Sequence, residues 1–239
     1  MADGDDQQSL SESIKGRLQE GVQNSVFQDK GLLDPDAVID EDRIVGRDNQ
    51  LDDIITYLRP ALQGNRPPNM LLYGPSGTGK SLIINAVCQQ VLELANSQGD
   101  RFGVIQINCQ TIKSHDRAVY RLVKNAAAEA GVDVGVPESG ISTDQKLDRF
   151  YEILSTDFDS VIIILDEVDL LVGRQRDPNE EPAYSKLLYQ LSRASQLGRI
   201  DGHVSVAALT NDPRFMEDLD GRAESSFNPQ DVVFSDYDA

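Results

Sequence analysis

A chain of 239 residues, 39% of them hydrophobic, has the material for a substantial packed core, which excludes intrinsic disorder as the default state. Forty acidic residues face 22 basic ones, a formal charge of -18. That balance excludes a generic basic coat for nucleic acid and most binders of anionic membranes, so any DNA contact has to be local.

The first 42 residues are polar and acidic; MADGDDQQ reads as a frayed end, and Val26, Phe27, Leu32 and Leu33 are the scattered apolar residues of an extended arm. Residues 43–239 read as one nucleotide-binding domain. Leu51, Ile54, Ile55 and Leu58 recur at helical spacing and predict one amphipathic helix over 48–62, before the turn GNRPP at 64–68. A short apolar run, NMLLY at 69–73, then leads through a glycine loop into a helix carrying Leu82, Ile83, Ala86, Val87 and Val91. Similar runs recur as GVIQIN (103–108), VIIIL (161–165), HVSVAAL (203–209) and DVVF (231–234). Apolar strands alternating with helices predict an α/β fold: a five-stranded parallel sheet covered by helices. About fifty residues separate the second and third strands, more than one crossover helix needs. With a Gly/Pro break at 131–140, they read as a helical insertion.

The longest apolar run, 161–165, is too short to span a bilayer, and no charged, apolar leader opens the chain. Cys88 and Cys109 lie in apolar stretches without a CxxC or a histidine at metal spacing, so neither a zinc site nor a disulfide framework is indicated. A cytoplasmic protein with no membrane partner fits these observations.

GPSGTGKS, residues 74–81, satisfies G-x-x-x-x-G-K-[ST] and lies between a strand and a helix, where its mechanism requires it. Gly74, Gly77 and Gly79 let the backbone of Gly74, Pro75, Ser76, Gly77, Thr78 and Gly79 turn its N–H groups toward phosphates, and the helix that follows adds its positive end. Lys80 reaches β- and γ-phosphates, and the Ser81 hydroxyl suits Mg2+. The cofactors expected are therefore ATP/ADP and Mg2+. Adenine is preferred over guanine because no NKxD-like motif follows the last strands.

Eighty-six residues after Lys80, VIIILDE brings Asp166 and Glu167 to the carboxyl end of a buried strand, the edge at which open α/β sheets bind ligands. Asp166 is placed to hold Mg2+, and Glu167 to orient or deprotonate a water, which favours hydrolysis over transfer to a substrate hydroxyl. A small-molecule kinase using the same loop is disfavoured accordingly. The next strand ends in LTND, and Asn211 would lie beside Glu167 if the two strands are neighbours; Asn-Asp-Pro is also an ordinary turn opening.

Together GPSGTGKS, VIIILDE and LTND resemble the AAA+ ATPases, a family of P-loop NTPases with a three-layer fold. VFQDKGLLDPD, IVGRDNQLDDI, LLYQLSRA and LDGRAESSF through VVFSDYDA narrow the resemblance to the archaeal initiators of the origin recognition and cell division control family. It covers the chain from Val26 onward. Family members continue past YDA into a helical lid and a winged-helix DNA-binding domain, both absent from this sequence.

The resemblance implies an ATP-bound switch that acts in origin recognition and helicase loading, with origin DNA, other initiator subunits and a replicative helicase as partners. It places adenine near Ile44, Val45, Gly46 and Arg47, and makes Arg222 an arginine finger offered to a neighbouring subunit, with Arg193 as a second candidate. A surface pairing of Arg222 with Asp220 or Glu224 is the other reading. It also implies a DNA-contacting helical element after the second strand, where Lys113, Arg117, Arg121 and Lys124 are spaced to line one helix face opposite Val119, Leu122, Val123 and Ala126. Phosphate contact and an ordinary solvated face both fit that stripe.

The acid is mostly aspartate, 28 Asp to 12 Glu, and lysine is scarce, 7 Lys to 15 Arg. This balance resembles proteins of halophilic archaea; an acidic mesophilic protein is the alternative. Function likewise has two readings, a catalytic ATPase switch and a truncated, non-catalytic paralogue that docks onto full-length initiators.

Overall fold

The computed structural model describes residues 47–173, 181–195 and 198–235. The five apolar runs are strands: β1 (Met70–Tyr73), β2 (Phe102–Asn108), β3 (Ser160–Asp166), β4 (His203–Thr210) and β5 (Gln230–Val233). They form one sheet in the order β2-β3-β4-β1-β5, and every pairing is parallel. Parallel neighbours cannot be joined by a tight hairpin, so each connection crosses a face of the sheet. Helices α1 (Asp48–Leu58) and α2 (Lys80–Gln98) pack on one face. The other carries α3 (His115–Ala130), α4 (Thr143–Asp157), α5 (Ala183–Arg193) and the short α6 (Gly221–Phe227).

Successive strand side chains point to opposite faces, and each face has its own core. Ile162, Ile164, Ala207 and Leu209 join the core beneath α1 and α2; Ile163, Leu165, Val206 and Ala208 join the core beneath α3 to α6. This is why β3 is apolar without alternation. Its four residues Ile162 to Leu165 are fully buried, each contributing about 1.5–3 kcal/mol of transfer free energy.

Chain punctuation explains where elements stop. The helix expected over 48–62 ends at Leu58 and continues as a 3-10 turn, Arg59–Gln63, because Pro60 has no N–H to donate. The insertion between β2 and β3 is a helix pair. Ser114 caps α3 by accepting from the Arg117 N–H at 3.3 Å, and Ser142 and Gln145 form a reciprocal capping box on α4.

The pair is tied by a group with no motif signature. Lys146 on α4 is fully buried and donates to both carboxylate oxygens of Asp116 on α3, at 2.8 and 2.7 Å, and to the Glu138 carbonyl at 2.7 Å. Thr143 adds a bond to Asp116 at 2.8 Å. From α3, Glu129 accepts from the Val104 N–H and Asn125 donates to the Gln106 carbonyl, which satisfies part of the β2 edge. Among the described residues, no helix is long and apolar enough to cross a membrane.

Candidate functional site

Strand register brings the three motifs to one place. Tyr73 pairs with Thr210, so the chain leaves β1 into Gly74 and leaves β4 into Asn211 at the same level. The neighbour of β4 on its other side is β3, ending at Asp166. All three exits lie on the carboxyl edge of the sheet.

The loop after β1 holds Gly74, Gly77 and Gly79 at φ 146°, 80° and 90°. A Cβ on Gly74 would stand 1.9 Å from the Phe234 carbonyl oxygen, so only glycine lets the loop start against the chain leaving β5. A Cβ on Gly77 would meet nothing within 4 Å, which leaves room above the loop for a ligand. Pro75, Ser76 and Gly77 are exposed there, and the Thr78 hydroxyl closes the turn on the Pro75 carbonyl at 2.8 Å. Gly79 then opens α2 without a side-chain cap, leaving the first N–H groups of the helix for an anion.

Lys80, 7% exposed, uses three donors at once: Nζ bonds the carbonyls of Gly74 at 2.7 Å and Pro75 at 2.8 Å and the Asn211 side-chain oxygen at 2.8 Å. Burial pulls its ammonium below the ordinary lysine range, while Asp166, Asp169 and Glu167 pull the other way. The Ser81 hydroxyl donates to Asp166 Oδ2 at 2.9 Å. A hydroxyl and a carboxylate this close form the hard oxygen donor set that suits Mg2+. Glu167 sits in the left-handed region, φ 52° and ψ 46°, and its Oε2 is buried with no hydrogen-bond partner. A strained backbone carrying an unsatisfied carboxylate oxygen fits a group arranged for a ligand rather than for packing.

Asn211 reaches this edge as expected, since β3 and β4 are neighbours, and it faces Lys80. Asp169 and Thr210 are not singled out by the motifs, yet they join here: the Thr210 hydroxyl donates to Asp169 Oδ1 at 2.6 Å. The signal available was a third carboxylate in LDEVD and the hydroxyl residue in LTND. Arg47, before α1, is buried, bonds the Ser235 carbonyl at 2.6 Å and lies 5.6 Å from the Phe234 ring. Because Phe234 also abuts Gly74, Arg47 stands beside the start of the loop. Ile44, Val45 and Gly46 lie outside the described residues, as does the expected arm over 1–42.

Both cysteines are inert core. Burial pushes the Cys109 thiol up to about 12, with nearby carboxylates adding to it, and burial raises Cys88 as well. Among the described residues no group of three or more His, Cys, Asp or Glu side chains is gathered around a metal position.

The ATPase family associated with various cellular activities (AAA) matches residues 70–230, from β1 to β5. The chain belongs to the AAA family. Within it, this AAA chain is 64% identical over 215 residues to the ORC1-type DNA replication protein 5 of Halobacterium salinarum, covering 90% of the chain and 50% of that protein. It is 55% identical over 222 residues to the ORC1-type DNA replication protein 14 of Haloarcula marismortui, covering 93% and 51%. The structure of the Aeropyrum pernix ORC1 protein in complex with DNA superposes with a TM-score of 0.66 at 32% identity, covering 81% of this chain and 46% of that one. The chain is thus similar to ORC1-type DNA replication proteins across its AAA domain, and it spans about half the length of these relatives.

Two further groups of residues lie away from the loop of this AAA domain. Arg222, in the first turn of α6, has a side chain 68% exposed; it bonds Asp220 at 2.9 Å and Glu181 at 3.5 Å and stands 5.6 Å from the Tyr189 ring. Its surface partners are therefore Asp220 and Glu181 rather than Glu224. Arg193 lies 5.5 Å from the same ring and bonds the Tyr189 hydroxyl at 3.1 Å. On α3, Val119, Leu122, Val123 and Ala126 are buried and Arg117, Arg121 and Lys124 are exposed, as the spacing predicts. Lys113 corrects that prediction: Ser114 caps the helix, so Lys113 stands outside it on the approach. Arg117 is bonded to Glu138 at 2.6 Å, which leaves Arg121 and Lys124 as the helix cations without an ion pair among the described residues.

Proposed function

We propose that this chain is an ATP-binding and ATP-hydrolysing switch of a replication initiator, acting in the cytoplasm in origin recognition and helicase loading. The observation that carries the reading is the meeting of Lys80, the Ser81–Asp166 pair and the partnerless Glu167 Oε2 on one sheet edge. Backbone N–H groups of residues 76–79 and the uncapped start of α2 bind the phosphates of ATP, Pro75 having none to donate. The Lys80 ammonium exchanges the Gly74 and Pro75 carbonyls for β- and γ-phosphate oxygens. Asp166 and Ser81 would hold Mg2+, which supplies neutralisation of phosphate charge when bound.

Glu167 orients a water and accepts its proton at Oε2, so that the water oxygen bonds the γ-phosphorus as the bond to the β-phosphate oxygen breaks and ADP leaves with the electron pair. Asn211, beside Lys80, presents its amide N–H to the γ-phosphate or the water. Arg47, with Ile44, Val45 and Gly46, would flank the adenine.

Arg222 supplies a cation to a neighbouring initiator subunit, the exposure of its guanidinium supporting that role. Origin DNA would meet Arg121, Lys124, Lys113 and Arg117, consistent with the complex with DNA in which a relative is found. A replicative helicase is the further partner this role requires.

The test is ATP binding and turnover in about 2 M KCl, where charge repulsion is screened. Lys80→Ala should abolish magnesium-dependent ATP binding, and Glu167→Gln should retain binding with turnover reduced by at least about a hundredfold. A folded wild type that binds no nucleotide would establish the docking-paralogue reading instead.

A further inference from the structure

Between the two residues given the chemical work, Glu167 and Asn211, the structure shows no direct bond. Their neighbours are bonded. Thr210, the last residue of β4 and fully buried, donates its hydroxyl proton to Asp169 Oδ1 at 2.6 Å. The same hydroxyl oxygen accepts from the Asp212 N–H at 3.0 Å. With a lone pair taken on one side, the proton is directed to Asp169 on the other. A hydroxyl-to-carboxylate bond of this length belongs to the stronger, charge-assisted class.

Each partner is rigidly coupled to a proposed catalytic group. Asp169 lies in the 3-10 turn Val168–Leu170, which the Leu170 N–H closes onto the Glu167 carbonyl at 3.0 Å. This turn follows directly from the left-handed conformation of Glu167. Thr210 precedes Asn211, whose side-chain oxygen accepts from Lys80 Nζ at 2.8 Å. Asp212 completes a local turn around Asn211 through its own bond to Thr210. Asn211 is thus held between two residues that share one hydroxyl.

We propose that Asp169 and Thr210 are positioning residues: their bond clasps the Glu167 turn to the end of β4 and sets the distance between the water-activating carboxylate and the Asn211 amide. This rests on the hydrolysing reading above and adds to it the pair that holds the two catalytic groups in register. Neither residue touches the nucleotide phosphates in this role. A loss of orientation at the reacting centre then lowers turnover while leaving phosphate binding by the loop intact.

Steady-state hydrolysis, ATP affinity by titration calorimetry and thermal midpoints, measured on the 239-residue chain in about 2 M KCl, test the clasp. Thr210→Val, which removes the hydroxyl at nearly constant volume, should lower kcat about tenfold to a hundredfold while ATP affinity stays within about twofold. Thr210→Ser, which keeps the hydroxyl, should restore kcat to within about threefold of wild type. Asp169→Ala should match Thr210→Val, and the double variant should lose no more than either, because one bond is removed twice. Unchanged turnover in Thr210→Val overturns the clasp, as does a parallel fall of affinity, midpoint and kcat that Thr210→Ser does not restore. A wild type without turnover would remove the hydrolysing reading and the clasp together, whereas an active wild type with an indifferent Thr210→Val removes the clasp alone.

Discussion

At Gly74 the Phe234 carbonyl oxygen stands where a Cβ would be, and φ is 146°; at Gly77 φ is 80° and the space is open. The two glycines of one motif therefore answer to different constraints. Gly77→Ala meets only the left-handed backbone cost, about 1–2 kcal/mol. Gly74→Ala adds a collision with main chain, which cannot rotate away, and should cost about 1–3 kcal/mol more. Urea denaturation of both variants measures the difference; equal midpoints would show that the β5 exit yields to the loop. That the 74–81 loop, Asp166, Glu167 and Asn211 come to one edge of the sheet was legible because the motifs set fixed residue types at strand ends. The neighbour that makes Gly74 obligatory was not legible: Phe234 lies in another strand, and only the order β4-β1-β5 brings it there. The Asp169–Thr210 bond was hidden for the same reason, since the β3–β4 register and not the spacing of the motifs makes the two residues meet.

Elements were read where one periodicity dominates. Five apolar runs became five strands, and the α3 stripe buried the face its spacing assigns. Where a polar side chain decides the packing, the pattern carries no trace. Lys146 looks like a surface residue of α4, yet it is fully buried against Asp116, the Glu138 carbonyl and the Tyr120 ring. Burial on its own would raise the Asp116 carboxyl, but the hydrogen bonds from Lys146 and Thr143 and the ammonium charge outweigh it and hold the group below the usual carboxylate range. A depressed folded pKa contributes stability that is fully present above the unfolded value, about 3.9, and is lost as pH falls through the lower folded value. Asp116→Asn should therefore destabilise the chain at pH 7 by about 1–2 kcal/mol, a modest figure because the carboxylate is 42% exposed and screened. The gap between wild type and variant in chemical denaturation should narrow once pH drops below about 4. A gap that is constant across that range would assign the loss to packing rather than to charge.

Across the whole molecule the charge of -18 is a destabilising field that individual ion pairs do not neutralise. Forty acidic residues outnumber 22 basic ones, and pairs such as Arg101–Asp159 and Arg199–Asp148 are themselves half solvated. Screening by salt acts on both signs of interaction, but repulsive pairs outnumber attractive ones, so its net effect is to stabilise. The thermal midpoint should rise between about 0.1 M and 2 M KCl, along which the Debye length falls from about 10 Å to below 3 Å. The same salt weakens DNA attraction, because affinity won by releasing counterions from phosphates falls with each power of salt concentration. On the DNA-contact reading proposed above, folding and DNA attraction respond in opposite directions to one variable. A midpoint that is flat or falling with KCl would mean that the acidic residues are already accommodated at low salt, and the acidic mesophilic reading of the composition would then hold.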